Sequence, residues 1–250
     1  MFRYTSLSDN EIHFYQAEGY LYLSGILSAD TAATLRREVI DIMVALGVST
    51  HQLANAQDTS DKLRQTSKYL RNSLVDQLVN HATLKALAGQ LMGGPSTMHS
   101  PFTAVKSGGG GGEFHFHQDN QYTQFDGPGI NFWFALNEMT PENGCLRIAP
   151  RTHLQGTYEG VSSGDDDHHL TLSVAPEAFL PIRMMPGDCV AFTRLTVHGS
   201  GPNNTHEPRA AYAIQFHRDD VRATWDGQPP RLLLDHPRIP DKRPVDKIAP

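Results

Sequence analysis

The feature that most constrains this chain is a change of texture at Pro95. Before it the apolar residues follow helical spacing. Ser8-Asp9-Asn10-Glu11 has the form of a capped helix start, with Ile12, Phe14 and Tyr15 opening an apolar face. A short β-prone piece, Tyr20-Leu21-Tyr22-Leu23, follows. Ser28 then caps a helix carrying Leu35, Val39, Ile42, Met43 and Leu46 at a period near 3.6, with Gly47 as its stop. Two more helical stretches, Tyr69 to Asn80 and Ala82 to Leu91, run up to Gly93-Gly94-Pro95. Beyond Pro95 the helical period disappears. Short β-prone runs replace it: Thr103-Ala104-Val105, Gly129 to Leu136, Cys145 to Ile148, Asp188 to Thr193 and Ala211 to Phe216. Many short strands separated by Gly, Pro, Asn and Asp imply a sandwich or barrel, not a parallel α/β sheet. The Pro-rich stretch from Gln228 reads as an irregular surface tail. With no repeat and no linker, the expectation is one domain over 1–250: helical support to about 95, a β core over 96–218, and an irregular tail over 219–250.

Composition removes several classes of function. A net charge of −6 argues against a broad nucleic-acid surface, while leaving room for a local basic pocket. Cys145 and Cys189 cannot build a disulfide framework and read as reduced, buried thiols. Met1 to Ser6 lacks the pattern of a signal peptide, and Lys247-Ile248-Ala249-Pro250 is not a peroxisomal address. No apolar run approaches the ~18 residues that span a bilayer. These readings predict a cytoplasmic protein that acts on a small molecule, with neither nucleic acid nor membrane as partner.

The chemistry concentrates in Glu113-Phe114-His115-Phe116-His117-Gln118-Asp119-Asn120. On an extended strand, residues two apart share a face, so His117 and Asp119 converge while Gln118 points away. His115 shares that face and competes as a ligand; the His-x-Asp spacing favours His117. Such a pair alone is weak, because it arises easily by chance. A second segment, Val197-His198-Gly199-Ser200-Gly201-Pro202, places His198 at the polar end of an apolar strand. Two histidines and one carboxylate make the facial triad of non-haem Fe(II) oxygenases, which leaves coordination positions open for a co-substrate and O₂. Arg209, heading the strand Ala211 to Phe216, suits the far carboxylate of a dicarboxylate co-substrate, and Ser200 can add a hydroxyl.

Taken in order, these segments resemble the phytanoyl-CoA dioxygenase family of Fe(II)/2-oxoglutarate oxygenases. The likeness rests on His117-Gln118-Asp119, Trp133 to Leu136, Asn143 to Pro150 with His153, Met185-Pro186-Gly187-Asp188, His198 to Asn203, and Pro208-Arg209. It extends from about Gly19 to Phe216. The resemblance implies a double-stranded β-helix (jelly-roll, cupin-like) core with N-terminal helices packed on it. It also implies iron ligation by His117, Asp119 and His198, and binding of 2-oxoglutarate by Arg209 with Ser200. The implied reaction hydroxylates an unactivated C–H bond with O₂ and releases succinate and CO₂. Desaturation, epimerisation or cyclisation with the same cofactors are alternatives, as is a non-catalytic cupin-like metal-binding or ligand-binding protein. The chain has Phe116 where the family often has Trp, Arg151-Thr152 where it often has Gly-Ser, and Ala210 where it often has a second Arg. Those departures bear on the substrate.

Weaker signals stay open at this level. The glycine run Gly108 to Gly112 lacks the Gly-Lys-Ser/Thr ending of a phosphate loop, and reads as a hairpin loop or as a flap over the site. Lys106 is either exposed or faces the acidic co-substrate. Tyr122, Asn131 and Trp133 are candidate substrate contacts, with ordinary packing as the alternative. Gly164 to His169 reads as a solvated loop rather than a cation site, and His153 as structural.

Overall fold

In the computed structural model the described residues are 1–56, 63–121, 123–162, 170–172, 178–224, 228–235 and 244–247. Helix α1 (Asp9–Glu18) starts at a reciprocal cap, in which the Ser8 hydroxyl accepts from Glu11 N–H and the Glu11 carboxylate accepts from Ser8 N–H. Strand β1 (Tyr20–Leu23) follows, then α2 (Ala29–Ala45), capped by Ser28 and burying Ala32, Leu35, Val39, Ile42 and Met43. The spacing missed α3 (Thr50–Ala54), a single turn capped by Ser49 and Gln52. After β2 (Leu63–Arg64) comes α4 (Leu74–Val79), much shorter than the stretch expected from Tyr69. The reason is local competition: the backbone around Leu70 is hydrogen-bonded to Val245, so the helix cannot start before its Ser73 cap. Helix α5 (Ala82–Met92) ends at Gly93 in the left-handed conformation.

The strands then run β3 (Ser96–Lys106), β4 (Phe114–His117), β5 (Gln124–Phe125), β6 (Gly129–Ala135) and β7 (Leu146–Ala149). They continue as β8 (Val161–Ser162), β9 (Leu170–Thr171), β10 (Leu180–Pro181), β11 (Cys189–Thr193), β12 (Val197–Ser200) and β13 (Arg209–Arg218). Two antiparallel sheets form the core, in the orders β1-β11-β6-β13-β3-β2 and β10-β7-β12-β4. This is the expected jelly-roll core. The segment after 219 is less irregular than expected, because β14 (Arg222–Thr224) pairs with both β5 and β15 (Arg231–Leu232).

Strands β6 and β13 explain why their sequences are apolar at almost every position. Phe132, Phe134, Tyr212, Ile214 and Phe216 face the helices, while Trp133, Ala135, Ala211 and Ala213 face the smaller sheet. A strand covered on both sides loses the apolar/polar alternation of a half-exposed one. Polar residues on the inner face of such a strand, such as Asn131, Arg209 and Gln215, therefore sit between the sheets and need partners there. Among the described residues no helix is long and apolar enough to cross a membrane.

Candidate active site

His117 on β4 and His198 on β12 are direct cross-strand partners. Opposed residues on one face of an antiparallel pair bring their side chains together, and the two imidazole centroids lie 4.3 Å apart. A register irregularity follows at once, with His198 opposite His117 but Ser200 opposite Phe114. Gly199 lies inside this bulge, where a Cβ would come within 2.6 Å of the Phe116 ring and 2.9 Å of the Phe114 carbonyl oxygen. The tight fit requires glycine there.

Asp119 reaches the two histidines by a different route from the one its spacing implied. Strand β4 ends at His117, and Asp119 opens a 3₁₀ turn, Asp119–Gln121. Gln118 breaks the strand: its amide donates to the Gly156 and Leu195 carbonyls and its oxygen accepts from Tyr158 N–H. The outcome nonetheless brings Asp119 Oδ1 to 3.9 Å from both His117 Nε2 and His198 Nε2. His117, Asp119 and His198 offer ligand atoms all within 4.8 Å of one another, and all three are buried. Each histidine points its Nδ1 at a main-chain carbonyl two residues back, His115 O at 2.8 Å and Thr196 O at 3.0 Å. In the neutral imidazole, that contact selects the tautomer whose lone pair is on Nε2. His115 contributes its carbonyl and its ring stays outside the cluster. Burial alone would raise the Asp119 pKa, but the nearby charges of His198, Arg194 and His117, with the Asn131 amide, outweigh it and hold the carboxylate below its usual range.

The cavity in front of this cluster, about 350 Å³, is lined by Gln65, Phe102, Lys106, Phe114, Asn131, Trp133, Leu146, Ser200 and Arg209 besides the three ligand candidates. Arg209 is 1% exposed and gives Nη1 to the Ala104 carbonyl at 3.3 Å. Its Nε and Nη2 have no hydrogen-bond partner among the described residues, and burial brings its pKa down to about 10. A guanidinium charged at neutral pH with two unspent donor nitrogens suits a carboxylate. The ring of Trp133 lies 5.6 Å from its Cζ, and the indole Nε1 is also without a partner among the described residues.

Lys106 is fully buried, which overturns the exposed alternative. Its position on β3 turns it inward, where Nζ donates to the carbonyls of Ser200 and Gly201. Burial, and then the charge of Arg209, lower its pKa to about 6; Arg147 acts in the same direction, and Glu113 and Cys145 oppose it. The folded chain therefore binds fewer protons at this site than the unfolded chain between that value and the ordinary lysine range. Stability contributed here rises with pH across that window and is lost as pH falls toward 6. Comparing Lys106→Met with wild type, the difference in Tm should shift in favour of the variant as pH is lowered from 9.5 to 6.5, about 2 °C or more. Parallel melting curves at both pH values would show that Lys106 is not the group titrating.

Asn131 spends its amide on Asp119 Oδ2, at 3.4 Å. Trp133 lines the cavity as a large apolar wall, and Tyr122 lies outside the described residues, as does Gly164 to His169. His153 ties the loop after β7 to α1 through the Gln16 carbonyl. Gly108 to Gly111 donate in turn to the carbonyls of Leu53, Thr205, Asn203 and again Asn203. Backbone passes so close that a Cβ on Gly108 would meet His206 O at 2.5 Å. In this structure the glycine run is a stapled turn, not a raised flap. Gln215 and Arg194, both buried beside Asp119, were missed, although a glutamine inside the apolar run Ala211 to Phe216 was a readable signal. Arg194, Gln65, Phe102 and Leu146 carried none.

The sequence model of one family, described as phytanoyl-CoA dioxygenase (PhyH), matches residues 15–211. The chain belongs to the phytanoyl-CoA dioxygenase family. As a phytanoyl-CoA dioxygenase family member it is a non-haem iron, 2-oxoglutarate-dependent dioxygenase. It is 28% identical over 215 residues to the methylphosphonate hydroxylase of Gimesia maris, an alignment covering 85% of this chain and 81% of that one. Among solved structures it resembles EvdO2 from Micromonospora carbonacea var. aurantiaca complexed with 2-oxoglutarate, with a TM-score of 0.71, 21% identity, and 95% and 98% of the two chains covered. It likewise resembles the epimerase SnoN in complex with Fe3+, alpha ketoglutarate and nogalamycin RO, with a TM-score of 0.67, 19% identity, and 97% and 94% covered.

Proposed function

We propose that this family member hydroxylates an unactivated C–H bond of a small molecule, holding Fe(II) on His117, Asp119 and His198 and 2-oxoglutarate against Arg209. The observation that carries the reading is the pairing, in one buried cavity, of a two-histidine, one-carboxylate cluster with a buried arginine whose Nε and Nη2 are unspent. Bound there, iron supplies the activation of O₂ coupled to decarboxylation of 2-oxoglutarate to succinate and CO₂. The rest of the work falls to side chains. His117 and His198 present Nε2 because main-chain carbonyls hold their Nδ1–H. Arg209, with Lys106 and Ser200 at its side, takes the distal carboxylate. Phe102, Phe114, Leu146 and Trp133 keep water from the reacting atoms. The unspent Asn131 Oδ1 and Trp133 Nε1 are available to orient substrate.

We take residues 1–250 as one catalytic unit, the helices bracing the sheet that carries Arg209. The free, buried thiols of Cys145 and Cys189 accord with the reducing cytoplasm. The experiment is anaerobic visible absorbance of metal-free protein given Fe(II) and then 2-oxoglutarate. A charge-transfer band should require both additions and vanish in His198→Ala. Folded wild-type protein without a band would overturn the oxygenase reading in favour of a cupin-like binding protein. With substrate in hand, product mass separates the outcomes: one oxygen gained for hydroxylation, two hydrogens lost for desaturation or cyclisation, and no change for epimerisation.

A further inference from the structure

Asp119 is held by a buried polar network that the ligand set alone does not explain. Its Oδ2 accepts from Gln215 Nε2 at 3.1 Å and from Asn131 Nδ2 at 3.4 Å, whereas Oδ1 faces the two imidazoles. Behind Gln215 stands Arg194, 4% exposed, its guanidinium carbon 4.0 Å from the centre of the Phe125 ring. Arg194 donates to the main-chain carbonyls of Asp119 at 2.7 Å and Thr123 at 3.2 Å, and to Gln215 Oε1 at 3.5 Å.

Donor chemistry orients this chain of contacts. A guanidinium can only donate, so it selects the oxygen end of the Gln215 amide. An ionised carboxylate can only accept, so it selects the nitrogen end. Gln215 therefore has one orientation that satisfies both neighbours. Reversing it would oppose N–H to N–H on one side and oxygen to oxygen on the other, at a buried position where unpaired polar groups are expensive.

We propose that Gln215 and Asn131 are positioning residues that occupy Oδ2 of Asp119, with Arg194 holding Gln215 from behind, so that the carboxylate offers the metal a single oxygen, Oδ1. A carboxylate free to turn could present both oxygens and fill a position that the co-substrate or O₂ needs. Three elements far apart in sequence make this clamp: β6 supplies Asn131, β13 supplies Gln215, and the turn after β11 supplies Arg194. Arg194 also bonds the carbonyl of Asp119 itself, so the arginine that holds Gln215 also holds the backbone that carries the carboxylate.

This rests on the ligand assignment proposed above, and the test keeps the two apart. Metal-free wild type, Gln215→Leu and Gln215→Glu are titrated with Co(II), following visible absorbance, and the metal-free proteins are melted by circular dichroism. Leucine removes the donor at similar size, and glutamate keeps the contact to Arg194 while replacing the donor with an acceptor. Both variants should bind Co(II) about 10- to 100-fold more weakly than wild type and give an altered cobalt spectrum, the usual scale for lost support of a metal ligand. A purely structural role for Gln215 would lower the melting temperature and leave the cobalt spectrum unchanged, which overturns the clamp. Wild-type affinity and spectrum in either folded variant does the same. Wild-type protein that takes up no cobalt overturns the metal site, and the clamp with it.

Discussion

Asp119→Ala should abolish turnover while leaving a folded protein. Loss of one of the three proposed ligands would remove both a metal–oxygen bond and the local negative charge. The expected fall in kcat/KM is about a thousandfold or more, equivalent to ~4 kcal/mol. The cost to folding is smaller. Removing the carboxylate strands the amides of Gln215 and Asn131, at roughly 1–3 kcal/mol, and it also removes a charge that burial opposes. For a chain of this length that is a drop in Tm of about 2–4 °C per kcal/mol. His198→Ala should behave alike, with a further packing loss because its ring lies 4.4 Å from that of Phe192. Measured side by side, kcat/KM and the melting curve decide the matter. A folded variant keeping more than about a tenth of wild-type turnover would remove that residue from the ligand set, since a tenfold loss is only ~1.4 kcal/mol.

The second large effect belongs to Arg209. Truncating one partner of a buried, hydrogen-bonded charge pair costs roughly 2–4 kcal/mol, about 30- to 1000-fold in affinity. Arg209→Ala should therefore raise the Kd for 2-oxoglutarate by that factor while the KM for the oxidised substrate moves little. Arg209→Lys should fall between, because an ammonium cannot make the bidentate contact. Without 2-oxoglutarate the variant should retain its fold. The wild-type side chain already carries a strong desolvation penalty and two unpaired donor nitrogens, so its loss is partly offset. An unchanged 2-oxoglutarate affinity would transfer the distal carboxylate to Lys106. That lysine's pKa should rise once the positive charge of Arg209 is gone, although burial, the larger cause of its depression, remains.

Much of the candidate site is local information, which is why it was readable without coordinates. The His-x-Asp spacing, the histidine at the end of an apolar strand and an arginine heading the next long strand are each short patterns. Their order along the chain made them specific. Helix starts at Ser8 and Ser28 were equally local, because a cap is a contact between residues three apart. Where the reading failed, the competing contact was distant in sequence. The helix expected from Tyr69 was shortened by Val245, and the strand expected through Asp119 was ended by Gln118 bonding to Leu195.

The sequence by itself determined a helical layer followed by a strand-rich core, and which residue types supply metal-binding and carboxylate-binding chemistry. Periodicity, capping and short motifs act over a few residues and leave their mark in the chain directly. Only the tertiary structure decided that Lys106 is buried beside Arg209, that Asn131 and Gln215 are committed to one oxygen of Asp119, and that the glycine run is stapled down. Those facts depend on which strands become neighbours. The energetic demand that buried polar groups find partners is met across the fold, by residues 12 to 96 positions apart, and no local pattern records the match.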